Sequence, residues 1–189
     1  MKKTLALSLL ALMSVPAVSA ELSSEYTRND RQRDCDTVAR SASEGNWADF
    51  VCPGPGGYSY FIRETDGREA VTYGNSQRSG MPTFGAFNYA HNTVEWRMGR
   101  VGGKRVPVAA IQRFYLADEN GAWKTQILVV SKVGQPRSGE ACVIGYVSAN
   151  EGAAANTRAR DLSNNAAAFR CGRDKPVVEA KIRQHVPQF

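Results

Sequence analysis

Hydrophobic and polar residues alternate most clearly in the first half of the chain. Tyr58, Tyr60 and Ile62 alternate with Ser59, Phe61 and Arg63, and after Thr65-Asp66-Gly67 the apolar segment 70–73 returns. An Asp-Gly pair between two such runs predicts a β-hairpin, because the tight primed turns require residues that tolerate positive φ. A second alternation sets Val94, Trp96 and Met98 against Thr93, Glu95 and Arg97, a strand buried on one side. The glycine-rich stretch 99–104 turns it into an apolar strand over 106–117. Asp118-Glu119-Asn120-Gly121 then reverses the chain into 123–133, whose centre, Ile127-Leu128-Val129-Val130, reads as a strand buried on both faces. These three strands form a meander. A turn over 134–139 leads to another strand, 141–148, carrying Cys142.

The period changes after residue 150. Ala155, Ala159, Leu162, Ala166 and Phe169 recur at helical spacing, which predicts an amphipathic helix over 151–170 with Asn156, Arg160 and Asn164 outward and Gly172 past its end. Other segments give weaker signals. Cys35, Val38 and Ala42 share one helical face and predict a short helix over 34–43. Cys52-Pro-Gly-Pro-Gly-Gly57 suits neither helix nor strand and reads as a turn. Residues 74–92 read as a long irregular loop holding Phe84, Phe87 and Tyr89, and 177–182 as an edge strand. Short turns between neighbouring strands imply an antiparallel sheet with the helix packed on it. That is an α+β fold, with a partly closed barrel as the alternative topology.

The beginning of the chain bears on compartment. Lys2 and Lys3 precede an apolar run from Leu5 to about Val15 and the small residues Val18, Ser19 and Ala20, the pattern of a secretory signal peptide cleaved after Ala20. The run is shorter than the ~20 apolar residues of a membrane span, and no other segment approaches that length. The expectation is a periplasmic or secreted chain whose residues 21–189 form one domain. Both leader lysines depart with it and no acid does, so 22 of the 24 basic residues remain against 18 acids, a net charge of +4 instead of +6. So mild an excess, in an exported chain, argues against nucleic acid and points to an envelope protein or an anionic glycan or lipid surface as partner.

Cys35, Cys52, Cys142 and Cys171 make an even count in an exported chain and predict two disulfides among three possible connectivities. Pairing of sequence neighbours is preferred because each pair brackets one local unit; loop entropy does not decide between the alternatives. No Cys-x-x-Cys occurs, and His91 and His185 stand in no zinc-like spacing, so no metal or cofactor is expected.

Candidate chemistry is sparse. The stretch from Gly99 to Arg105 lacks the spacing and the Ser or Thr of a phosphate loop. It does place Arg97, Arg100, Lys104 and Arg105 within nine residues without an acid, a candidate contact for an anionic surface on an expected hairpin tip. Phe84, Phe87 and Tyr89 are candidate aromatic anchors, or else they fold back over the core. His91 is a candidate general base, with no nucleophile or carboxylate at an interpretable spacing. Glu64 and Asp66 read as turn residues, and Gly74-Asn75-Ser76-Gln77-Arg78 lacks the second glycine of a nucleophile elbow.

The Cys52-Pro-Gly-x-Gly-Gly start, the Asp66-Gly67-Arg68 hairpin, and an ending in which Cys142 is followed by Asn156-x-x-Ala159-Arg160, Ala166 and Phe169-Arg170-Cys171-Gly172 are similar to an uncharacterised family of exported alphaproteobacterial proteins. The resemblance implies the compartment and two disulfides and assigns no catalytic residue. The expected function is a small periplasmic binding or interaction protein. The alternatives are an inhibitor of a lysozyme-type cell-wall hydrolase and a hydrolase of envelope polymers.

Overall fold

A computed structural model of the chain describes residues 22–41, 46–74 and 81–188; the leader, 1–20, lies outside them. In chain order the elements are β1 (Ser23–Arg28), a one-turn helix α1 (Arg31–Asp34), β2 (Asp36–Arg40), β3 (Trp47–Pro53), β4 (Ser59–Thr65) and β5 (Arg68–Tyr73). There follow β6 (Asn88–Val101), β7 (Lys104–Leu116), β8 (Thr125–Lys132), β9 (Cys142–Ser148), the main helix α2 (Ala153–Ser163) and β10 (Val177–Val178). The fold is α+β, as the patterning predicts.

The strands divide into two sheets where the sequence suggests one. The larger has the order β1-β6-β7-β8-β9-β10 and the smaller β2-β3-β4-β5. The larger sheet ends at β1 and β10, so it is open and not a barrel. Its pairings are antiparallel except for β10, which runs parallel to β9 with Val177 beside Gly145. Only two residues of the expected edge strand pair in this way; the chain continues as a 3-10 turn, Ala180–His185.

The double burial of β8 explains the layering. Ile127 and Val129 face a core shared with the small sheet, which includes Trp96, Tyr60 and Tyr73. Leu128 and Val130 face a second core beneath α2, with Ala155 and Ala159 fully buried against them. Alanines suit this layer because a small side chain brings the helix backbone close to the sheet. Gly145 of β9 serves the same end, since a Cβ there would lie 2.3 Å from Leu162 Cδ2 and 2.8 Å from the Val177 carbonyl oxygen.

Two local expectations change. Residues 36–40 form strand β2, not a helix, because the Cys35–Cys52 disulfide sets this segment beside β3, Asp36 opposite Val51, and Val38 is exposed with no apolar layer to meet a helical face. The main helix stops at Ser163 instead of 170; turns then carry Ala166 and Phe169 to the second core. The hairpin stands as read: Thr65 pairs with Arg68, and Asp66 and Gly67 take φ of 51° and 68°. Both disulfides join sequence neighbours, Cys35–Cys52 and Cys142–Cys171. Among the described residues no helix is long and apolar enough to cross a membrane.

Candidate functional site

Helix α2 packs over β7, β8 and β9 and leaves the same face of β1 and β6 open. Strand alternation dictates what lines that open strip. Glu95 and Arg97 of β6 point toward the helix side, where Glu95 accepts hydrogen bonds from Arg160 and Arg97 donates to the Ser163 hydroxyl at 3.1 Å. Tyr26 of β1 meets Arg160 Nη2 through its hydroxyl at 3.1 Å. The result is a groove beside α2. One hollow of about 270 Å³ lies among His91, Glu95, Arg113, Asn156 and Arg160. A second, of about 440 Å³, lies among Ser24, Tyr26, Arg97, Arg160 and Asp161.

A break in the β6–β7 ladder aims His91 into this groove. Ala90 pairs with Phe114 and Val94 with Gln112, so three residues of β6, 91–93, stand opposite Arg113 alone. Bulges of this kind re-aim side chains and recur beside functional sites. The bulge is fixed from below: Gln112, almost fully buried, donates from Nε2 to the His91 carbonyl at 2.6 Å and accepts from the Tyr73 hydroxyl. Burial pushes the Tyr73 hydroxyl well above its ordinary range, so it stays a neutral donor.

The surroundings of His91 disfavour its protonated form. Partial burial, and then the charges of Arg113 and Arg28, lower its proton affinity below the ordinary imidazole value. The Thr93 N–H donates to His91 Nδ1 at 3.1 Å, so the neutral ring carries its hydrogen on Nε2. Arg113 is anchored by neutral acceptors, Gln126 Oε1 at 2.8 Å and the Ala149 carbonyl at 3.3 Å, and among the described residues no carboxylate forms a salt bridge with it. Glu95 accepts from the Ser24 hydroxyl at 2.6 Å and from Arg160 Nε at 2.7 Å. That carboxylate holds the Arg160 guanidinium above its ordinary range.

Past His91 the groove opens onto an aromatic ledge. Tyr89 and Tyr115, opposite each other in the β6–β7 register, stack with ring centres 4.9 Å apart and 15° between planes. Trp123 meets Tyr89 edge-on at 4.9 Å and 70°, and the His91 ring lies 6.1 Å from Tyr115. Tyr89 is 38% and Trp123 44% exposed, so the cluster presents ring surface to solvent instead of closing over the core.

The candidates from the sequence divide accordingly. His91 and Arg97 line the two hollows and Tyr89 stands on the ledge beyond His91; Tyr89 and His91 belong to β6 and not to a loop. Arg97 is buried and tied to Ser24 and Ser163, so it is not part of the cationic tip. Arg100, Lys104 and Arg105 do flank the Gly102-Gly103 turn, on the order of 40 Å along β6 from Tyr89. There Arg105 is paired with Glu25 and Arg100 donates to the Gly103 carbonyl at 3.2 Å. Phe84 lies in the core against Phe114 and Tyr146. Phe87, though exposed, packs against Gly67 and beneath the Arg68 guanidinium at 4.7 Å, covering the hairpin turn. Glu64 and Asp66 serve that same turn by accepting from Gly67 N–H and Arg68.

The sequence does not single out Tyr26, Arg113, Tyr115 and Trp123, and it marks Arg160 only as an outward helix position and part of the family resemblance. The usable signal was alternation within β7, where Arg113 and Tyr115 share the face opposite Gln112 and Phe114. Among the described residues no cluster of His, Cys, Asp and Glu is arranged to hold a metal ion. Comparison of the chain with protein-family models, with curated proteins and with solved structures gives no match.

Proposed function

We propose that this chain is an exported binding protein of the bacterial envelope and that the groove beside α2 holds a segment of acidic glycan. The observation that carries the reading is the ledge of Tyr89, Tyr115 and Trp123 running into a groove with an arginine, Arg113, that forms no salt bridge among the described residues. Aromatic faces carry a negative quadrupole that attracts the C–H face of a sugar ring, while the polar ring edge of the sugar remains free for hydrogen bonds. Arg113 and Arg28 supply a positive field for a carboxylate, sulfate or phosphate, and a guanidinium fork suits such groups. In its neutral form His91 adds an Nε2–H donor without adding charge.

The export signal in the sequence and the two disulfides support the compartment. Binding is favoured over glycan hydrolysis by the state of Glu95, the carboxylate in the hollow beside His91. Cleavage of a glycosidic bond ordinarily takes two carboxyl groups flanking it. Here Glu95 is engaged by Ser24 and Arg160.

Calorimetric titration of the oxidised protein, residues 21–189, with acidic oligosaccharides (alginate, oligogalacturonate, lipopolysaccharide core) tests this, with neutral cellohexaose alongside. Saturable binding of an acidic member is expected, weakened about tenfold or more by Trp123→Ala and by Arg113→Gln. Equal binding by both variants and the parent, or no binding of any acidic member, would refute it.

A further inference from the structure

A second concavity, of about 390 Å³, lies where the end of β5 meets the start of β9, away from the glycan groove. Its size falls within the range of small-ligand sites. Its walls are largely apolar: Val71 and Tyr73 from β5, Pro82 from the segment that follows, Val143 from β9, and Phe169 from beyond α2. Such a lining in water suits an apolar tail.

The polar groups set into this wall have donors to spare. Ser131 of β8 is 3% exposed, and its hydroxyl has no hydrogen-bond partner among the described residues. A buried hydroxyl left unpaired is costly, and each such group calls for an explanation. The neighbouring Lys132 ammonium, also largely buried, donates to Glu140 Oε2 at 2.9 Å and to the Phe169 carbonyl at 2.7 Å. An ammonium has three N–H donors, so these bonds leave one over.

Charge on the lining is positive. Arg173 and Lys175, both exposed, stand on it with Asp174, whose carboxylate is taken up by the Arg170 side chain at 3.0 Å and by the Arg170 N–H at 2.8 Å. Glu140 is likewise committed to Lys132 and to the Cys171 N–H, bonds that hold its carboxyl below the ordinary range. Unpaired donors, two exposed cations that form no salt bridge among the described residues, and apolar walls describe the complement of one kind of molecule.

We infer that this cleft is a binding site for a single-chain carboxylate amphiphile of the fatty-acid class. Its head group supplies acceptors for the donors that lack them, and its acyl chain lies along Val71, Val143 and Phe169. The cleft is independent of the glycan groove, and its wall is closed by the Cys142–Cys171 bridge, whose Cys142 lines it.

The test is a titration of the oxidised protein with sodium decanoate below its micellar concentration, followed by methyl NMR, with decanol as the uncharged counterpart. Saturable one-to-one binding is expected, with shifts centred on the Val71 and Val143 methyls and decanol about tenfold weaker or more. Reversal of the two exposed cations, Arg173→Glu with Lys175→Glu, weakens decanoate without unfolding the chain. Ala141→Phe, at a half-buried lining position, blocks it, and Ser131→Ala weakens it. Decanol binding as tightly as decanoate, unchanged affinity in the charge-reversed variant, or shifts gathered on the Tyr89–Trp123 ledge instead would each overturn the assignment.

Discussion

Arg160 of α2 and Glu95 of β6 are joined by two hydrogen bonds, Nε to Oε1 at 2.7 Å and Nη2 to Oε2 at 3.2 Å. The pair bridges the open strip of the large sheet and separates the hollow beside His91 from the one beside Arg97. Its two ends are unequal, because the Glu95 side chain is 10% exposed and that of Arg160 is 39%. Replacing Arg160 leaves a buried carboxylate with only the Ser24 hydroxyl and the more distant Arg97, 3.8 Å away. Arg160→Gln should therefore lower stability by about 1–3 kcal/mol, and Arg160→Gln with Glu95→Gln by less than the two single changes summed. Urea unfolding of the four members of this cycle measures it.

The environment of His91 gives stability a pH dependence of definite sign. Its proton affinity in the folded chain is lowered, first by burial and then by Arg113 and Arg28. Between the folded midpoint and the unfolded value of 6.5 the unfolded chain binds the extra proton, so stability rises with pH across that window and is lost on acidification. Imidazole NMR should place the His91 midpoint below 6.5, and Arg113→Gln should move it upward. A midpoint at or above the unperturbed value would contradict the arrangement described for the groove.

Gly145 is where α2, β9 and β10 approach most closely. A methyl group there meets Leu162 Cδ2, which can turn away, and the Val177 carbonyl, which is backbone and cannot move alone. Gly145→Ala should destabilise the chain by about 1–3 kcal/mol through overpacking. Hydrogen exchange would localise the loss, with the β9–β10 amides and those of α2 released before those of β4 and β5.

The Cys142–Cys171 bridge closes a loop of 29 residues that contains α2. Replacing both cysteines by alanine should cost about 2–5 kcal/mol. The same change keeps the backbone N–H of residue 171, which donates to Glu140 at 2.9 Å, but removes the covalent tie that holds it beside Glu140 and Lys132. Thermal unfolding with and without reductant is the readout. The parent should lose stability on reduction, whereas the double alanine variant should respond less, retaining only the Cys35–Cys52 bridge.

Much of the fold was legible because its signals are local. Asp66-Gly67 fits one kind of turn, and Ile127 to Val130 is apolar without a break, so it had to be covered on both sides. The segment 34–43 misled because Cys35, Val38 and Ala42 fall at helical spacing, whereas residues 36–40 are fixed as a strand by the neighbouring bond to Cys52 and by pairing with β3, and residues 42 and 43 lie outside the described residues. The second sheet was missed for a related reason: nothing local says that β2 to β5 pair among themselves and not with β6.

The groove was legible only in pieces. Tyr89 and His91 stood out as residue types, but Tyr89 meets Tyr115 only through the β6–β7 register, 26 positions along the chain. The bulge at 91–93 shifts that register and has no composition cue. Arg97 looked like one of four tip cations because sequence distance ignores strand alternation, which turns it inward beside Ser24 and Ser163.

The most direct measurement is an amide and side-chain NMR titration of the oxidised protein with the acidic oligosaccharide it binds most tightly. The account predicts that the largest shifts fall on Tyr89, His91, Arg113, Tyr115 and the Trp123 indole and shrink as salt is raised. Shifts confined to Arg100, Lys104 and Arg105 at the hairpin tip, or none on the ledge at saturation, would contradict it.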